Sequence, residues 1–384
     1  MSAVLRHWPR ILITLVPVVL MLAHIVSTTG RPVLDGLDLF IADWRLRLTL
    51  PNRLDPRIVI VDIDDASLQA VGQWPWGRDK LASLTTELME RQQVAVLGFD
   101  MVFPEEDRSS GLTTLRELAS GPLRDNAALK TELDLIAPSL DHDGAFVRAM
   151  QNHQVVLGFY LTQGDLPLHR GFLPAPVLPP TALPAGLGIY ATQWNGFGSN
   201  IAPLAKAAKT AGFINAVISP RSDGLLRAAP LLAYYGGTAG VAGQNGYYES
   251  LGLAVYRLAT GTDGIFPVLA PSHAPGVPPV IRALQLGQGA NALRVPLSSR
   301  TSMLVPYLGP GGPLGGSFHY ISAEEILNGE LPERELKGKI VLVGTTAPGL
   351  QDLRATPVGA TFPGVEVHAN VISALLDKRF IALP

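Results

Sequence analysis

Cysteine is absent from all 384 residues. That excludes disulfides, thiolate metal ligands and thiol nucleophiles together. It leaves the redox compartment open, because a domain of this size is stable without cross-links. Charge is scarce as well, at 16% of residues, and 30 basic against 32 acidic side chains leave a formal net charge of −2. With no long basic stripe, nucleic acid is not an expected partner. Also missing are H-E-x-x-H, G-x-S-x-G and G-x-x-x-x-G-K-[ST], and the eight histidines are scattered. No catalytic residue, cofactor or metal site is therefore expected. What the chain has in quantity is apolar side chains, 47% of the total, enough to bury a large core.

Long apolar runs are also few, and the clear one spans residues 11–29, ILITLVPVVLMLAHIVSTT. Roughly 17–25 residues cross a bilayer, so the run predicts one transmembrane helix despite Pro17 and His24. Arg6, His7, Trp8 and Arg10 precede it, whereas Arg31, Asp35 and Asp38 follow. The positive flank places residues 1–10 in the cytoplasm and residues 34–384 outside. Two other readings compete: a cleaved signal peptide, weakened by an end lacking an A-x-A site, and a buried core helix.

Beyond the run, Leu37, Phe40, Ile41, Trp44 and Leu48 form a helical stripe that ends before Pro51. Residues 57–64, RIVIVDID, and 94–103, VAVLGFDMVF, are β-branched apolar runs of the kind buried on both faces of a parallel sheet. The helical segment 79–91 between them makes a strand–helix–strand unit. A helix over 143–152, a strand over 155–161 and a proline-rich loop over 166–188 come next. A β-hairpin over 211–235 is expected around Asp223-Gly224, then a helix over 248–259, a loop over 266–279 and a strand pair over 293–307. A short helix at 322–327, a strand at 339–344 and a helix over 364–378 complete the pattern. It amounts to an α/β domain with a mostly parallel mixed sheet, flanking helices, an antiparallel hairpin and long Pro-rich loops.

Open α/β sheets bind ligands past the carboxyl ends of their strands. There lie Asp62, Asp64 and Asp65 from the first strand, Asp100 from the second, and Thr345, Thr346 and Asp352 after the last. These side chains can hold a polar ligand; equally, Asp64 or Asp65 can cap the following helix and Asp100 can bond loop amides. GQWPWGR, residues 72–78, offers Trp74, Trp76 and Arg78 either as packing over the sheet or as an aromatic and anion-binding platform. His368 reads as a packed or capping residue.

Read together, DLFIADWRLRL, DPRIVIVDIDDASLQAVGQWPWGR and VLGFDMVFPEED resemble the CHASE domain of the second type. GFINAVISPRSDGLLRAAPLL, GKIVLVGTTAPGLQDLRATPVG and PGVEVHANVISALL resemble the same family's central and terminal blocks. The resemblance covers residues 34–384. It implies an extracytoplasmic sensor module of a bacterial membrane receptor, followed by further membrane helices and a cyclase, kinase or diguanylate cyclase output. It carries no catalytic residues and no established ligand. The expected partners are the membrane, a small-molecule or environmental signal and a second copy of the chain. The expected location is the inner membrane, with the bulk periplasmic. The alternatives are a periplasmic solute-binding or scaffold module with no output, and a metal-assisted hydrolase using Asp64, Asp100 and Asp352.

Overall fold

The computed structural model describes residues 12–19, 21, 31–183, 191–216, 223–236, 244–270, 280–289, 292–297, 299–347 and 352–381. The chain divides into two units, Met1–Leu50 and Pro51–Pro384. In the first, residues 12–19 and 21 are helical; the rest of the expected span 11–29 lies outside the described residues. Among those described, no helix is long and apolar enough to cross a membrane. Helix α1 (Arg31–Leu48) carries the expected stripe, with Leu37, Phe40, Ile41, Trp44 and Leu48 all exposed.

The second unit opens with β1 (Ile58–Ile63), α2 (Asp65–Val71) and α3 (Arg78–Thr86), which continues as a π-turn over Glu87–Arg91. After β2 (Val96–Phe99) come α4 (Leu112–Ser120), α5 (Ala127–Leu140), α6 (His142–Met150) and β3 (Val155–Thr162). The middle of the chain holds β4 (His169–Arg170), β5 (Thr192–Trp194), β6 (Gly196–Gly198), α7 (Ala202–Ala207) and β7 (Thr210–Phe213). It continues through β8 (Ala228–Pro230), β9 (Leu232–Tyr235), β10 (Gly246–Glu249), α8 (Leu251–Thr260), β11 (Ile265–Ala270), β12 (Val280–Leu286), β13 (Leu293–Pro296) and β14 (Ser302–Leu304). The last stretch contains β15 (His319–Ser322), α9 (Ala323–Leu327), β16 (Ile340–Thr345), β17 (Leu353–Thr356), β18 (Gly359–Pro363) and α10 (Gly364–Leu376).

Strands β15, β1, β16, β2, β3 and β7 are parallel neighbours in that order, and β6 continues antiparallel along the end of β3. β16, distant in sequence, lies between β1 and β2. Side chains alternate across the sheet as a strand requires. Val59, Val61, Leu97, Phe99, Leu157, Val341 and Val343 face one layer with Leu81, Leu84, Phe146 and Ile326 of α3, α6 and α9. Ile58, Ile60, Val96, Val156, Ile340 and Leu342 face the other, with Leu251, Val255, Val365, Ala369 and Ile372 of α8 and α10. The result is a three-layer α/β/α sandwich buried on both faces, the setting in which an uninterrupted apolar strand is stable.

Three sequence expectations are corrected. The hairpin over 211–235 does not form: β7 pairs parallel with β3, whereas β8 pairs with β14 and β9 with β10 and β5. Gly224 does adopt φ +86°, but a local turn signal cannot hold two strands together when each has a larger apolar surface to cover elsewhere. The loop expected from residue 266 is in fact β11, antiparallel to β12, with residues 271–279 outside the described ones. The strand pair over 293–307 separates, since β13 joins β12 and β14 joins β8.

Candidate functional site

Three of the parallel strands end in polar side chains that bond one another. The Asp62 carboxylate, in β1 and only 3% exposed, accepts from Thr346 N (2.8 Å) and Thr346 Oγ1 (2.5 Å) just past β16. Burial pushes Asp62 up to about 6 against those bonds, with Asp64 and Asp65 adding like charge. One turn on, Asp64 caps α2 by accepting from Ser67 N (2.8 Å) and also accepts from Ser322 Oγ (2.9 Å) at the end of β15. The Ser67 and Ser322 hydroxyls bond each other at 2.8 Å, and Thr345 Oγ1 donates to the Ile63 carbonyl at 3.1 Å. Every member of this network has a partner within the fold, so it reads as a clamp joining β15, β1 and β16. Replacing Asp64 by Ala is expected to cost about 1–2 kcal/mol, from a lost cap and an unpaired serine; denaturant unfolding measures it. Asp65 is exposed on the first turn of α2.

A second cluster lies past β2. The Asp100 side chain is 8% exposed, and its Oδ1 is 3.9 Å from Nε2 of His368, itself 12% exposed, on α10. That distance is too long for a hydrogen bond. Burial pushes the Asp100 carboxyl up to about 7; the Asp352 charge adds to the rise and Arg354 opposes it. Burial pulls His368 down to about 4, against a hydrogen bond with the Ile214 backbone. Both shifts favour the neutral form of each group, so burial works against charge on the carboxyl and on the imidazole alike. Beside it, a small cavity of about 20 Å³ is lined by Ile214, Ala229, Arg354, Val367 and His368, room for roughly one water. Asp352 is exposed and ion-paired with Arg354; residues 348–351 lie outside the described ones.

The third candidate group is structural. Trp76 is 4% exposed and donates Nε1–H to the Gly72 carbonyl at 2.7 Å, and its ring centroid is 5.9 Å from that of Trp74. The Arg78 guanidinium lies over the Phe103 ring at 4.4 Å. Of the two expected roles, packing is the one these contacts support for Trp76 and Arg78, while Trp74 is half-buried against the same core. Among the described residues, Asp64, Asp100 and Asp352 do not gather as a shared cation site, which removes the basis of the hydrolase reading. Sequence reasoning set His368 aside and passed over Glu366, fully buried two residues earlier. A Glu and a His two apart on a mostly apolar helix were the available signal.

The architecture is an α/β sandwich with buried titratable groups past the ends of its parallel strands. The profile of the CHASE2 domain family matches residues 16–384, and the chain belongs to that family, one of extracellular sensory domains of signalling receptors. No curated protein and no solved structure matches the chain.

Proposed function

We propose that this chain is the extracytoplasmic sensory part of a bacterial receptor, tethered in the inner membrane by the helix at 11–29 and coupled to a cytoplasmic cyclase, kinase or diguanylate cyclase. Membership of the CHASE2 family carries this reading. The outputs expected of such receptors work in pairs, so a homodimer is part of it. The cue is a small molecule or an environmental condition, and Asp100 with His368 is its point of action.

Contacts within the second unit link that point to the residues at its start. α10 begins at the Asp100–His368 pair and ends at Asp377, which is ion-paired with Arg53 and Arg57 just after the start of the unit. Ser373 of the same helix donates to Asp55 at 2.7 Å, and Asp55 also accepts from Arg57 Nε and Nη2 at 2.9 and 2.7 Å. Burial works against the Asp55 charge, but the Arg57 and Ser373 bonds hold its carboxyl below the usual range. A shift of α10 is thus delivered to residues 53–57, where the chain leaves α1. Signalling requires that the cue bind two positions of this helix with unequal affinity.

Because the chain has no cysteine, a single Leu166→Cys at a 96% exposed position gives a clean label. A membrane-impermeant maleimide is expected to modify it in intact cells; modification only after lysis refutes the extracytoplasmic placement. In the intact receptor, replacing residues 51–384 by an inert spacer should abolish regulation of the output. Unchanged regulation would favour a scaffold role.

A further inference from the structure

Away from the strand ends, three separate segments bring an imidazole and two carboxylates to one point. Asp79 lies in the first turn of α3, Asp107 in the loop after β2, and His142 opens α6. His142 Nδ1 is 3.4 Å from Asp107 Oδ2, 3.5 Å from Asp79 Oδ1 and 3.2 Å from Ser109 Oγ. One ring nitrogen has one proton or one lone pair and cannot bond three oxygens. The spacing matches something else. The edge of a tetrahedron is about 1.6 times its centre-to-vertex distance, so metal bonds of about 2.0–2.1 Å give donor separations near 3.4 Å.

The donors are also held in place before any ion arrives. The Asp107 side chain is 4% exposed, with the Arg78 N–H bonded to Oδ2 and the Ser109 N–H to Oδ1 at 2.6 Å. Gly77 keeps the space open: a Cβ there would sit 2.5 Å from Asp79 Oδ1 and 2.7 Å from Ser109 Oγ. The nearby Arg78 guanidinium is turned onto Phe103, with Nε 3.7 Å from Asp143.

We propose that Asp79, Asp107 and His142, with the Ser109 hydroxyl as fourth donor, bind a divalent cation of the zinc class. Two carboxylates balance the charge of the ion, and imidazole with oxygen donors suits zinc and its first-row neighbours. The ion would tie α3 and α6 to the loop that follows β2, fixing the carboxyl end of the strand next to Asp100. The proposal stands apart from the sensory reading, and its test reads binding alone.

Titrating the full chain with Zn²⁺ by calorimetry is expected to show saturable one-to-one binding, with a rise in melting temperature. Asp79→Asn keeps the shape and should weaken binding at least ten-fold. His142→Ala should remove it, while His153→Ala, at a separate contact with Glu90, should leave it unchanged. No saturable heat with the unaltered chain, or equal affinity in Asp79→Asn and His142→Ala, would overturn the assignment. Asp79 is half-exposed, so its variant is expected to fold even if a change at His142 disturbs α6.

Discussion

Raising the pH from 6.5 to 8.5 is expected to destabilise the folded chain by about 2–3 kcal/mol, and Glu366→Gln is expected to remove about 2 kcal/mol of that loss. Glu366, in the first turn of α10, is fully buried. Burial pushes its carboxyl up to about 8, and the Gly312 N–H and the neighbouring Tyr320 hydroxyl pull the other way. An acid with a raised folded pKa is bound to its proton in the fold while the unfolded chain has already released it. Its contribution is intact below the unfolded value near 4.5 and is lost as pH rises to about 8. Asp100, raised to about 7, acts in the same direction and is mostly spent by pH 7.5. Asp62, raised to about 6, has the same sign at lower pH.

His368 has the opposite sign. Its folded pKa near 4 makes the unfolded chain the stronger proton binder up to about pH 6.5, so stability rises with pH over that range. Stability from these four groups should therefore fall from about pH 4.5 onward, because one histidine offsets only one of the three acids, and above about pH 7.5 Glu366 carries the remaining fall with nothing to offset it. Urea unfolding of the chain and of Glu366→Gln at pH 6.5 and 8.5 measures both slopes. Equal slopes would mean that Glu366 ionises freely in the fold. Glu366 and His368 both lie on α10, so two of these ionisations act on that one helix.

Much of the sandwich could be read from the sequence because each element carries its own signal. β1 and β16 are β-branched runs bounded by acids or by Gly-Thr, the Asp64 cap stands one residue before α2, and α10 carries the apolar residues Val365, Val367, Ala369, Val371, Ile372, Ala374 and Leu375. Pairing could not be read in the same way. That β16 enters between β1 and β2 depends on which apolar edge is free once the chain has folded, and no local motif encodes it. The failed hairpin at 211–235 has the same origin: β7 gains more by covering β3 than by turning back on itself. At the site, Asp64 and Thr346 were expected at strand ends because the sheet geometry places them there. The partners of Asp100 were hidden: His368 lies 268 positions later, and burial, which sets both pKa shifts, appears only when α10 covers the sheet. Glu366 looked like an ordinary first-turn acid, whose usual role is to meet the helix dipole in water.

Gly212→Val is expected to cost about 3 kcal/mol or more, or to prevent folding, although the side chain added is small and suits a strand. In β7, Gly212 is in register with Gly158 of β3, so the two strands meet at a pair of residues without side chains. On the layer side, a Cβ at 212 would sit 2.6 Å from both Cα and N of Leu251 and 2.7 Å from the Ser250 carbonyl carbon. Those are backbone atoms of the first turn of α8, which no rotamer change can move aside. The helix would have to lift off the sheet, and Leu251, Leu253, Ala254 and Val255, all buried, would lose contacts together. α8 also leans on α10, where a Cβ on Gly252 would be 3.2 Å from Val371 Cγ1. Displacing it would therefore disturb the helix that carries Glu366 and His368. Gly164→Ala, at a position with no atom within 4 Å of the added carbon, should change stability by less than about 0.5 kcal/mol. Thermal melting of the two variants separates a close helix–sheet approach from a general intolerance of lost glycine. A Gly212→Val chain that melts like its parent would show that α8 is not seated on β7 at this distance.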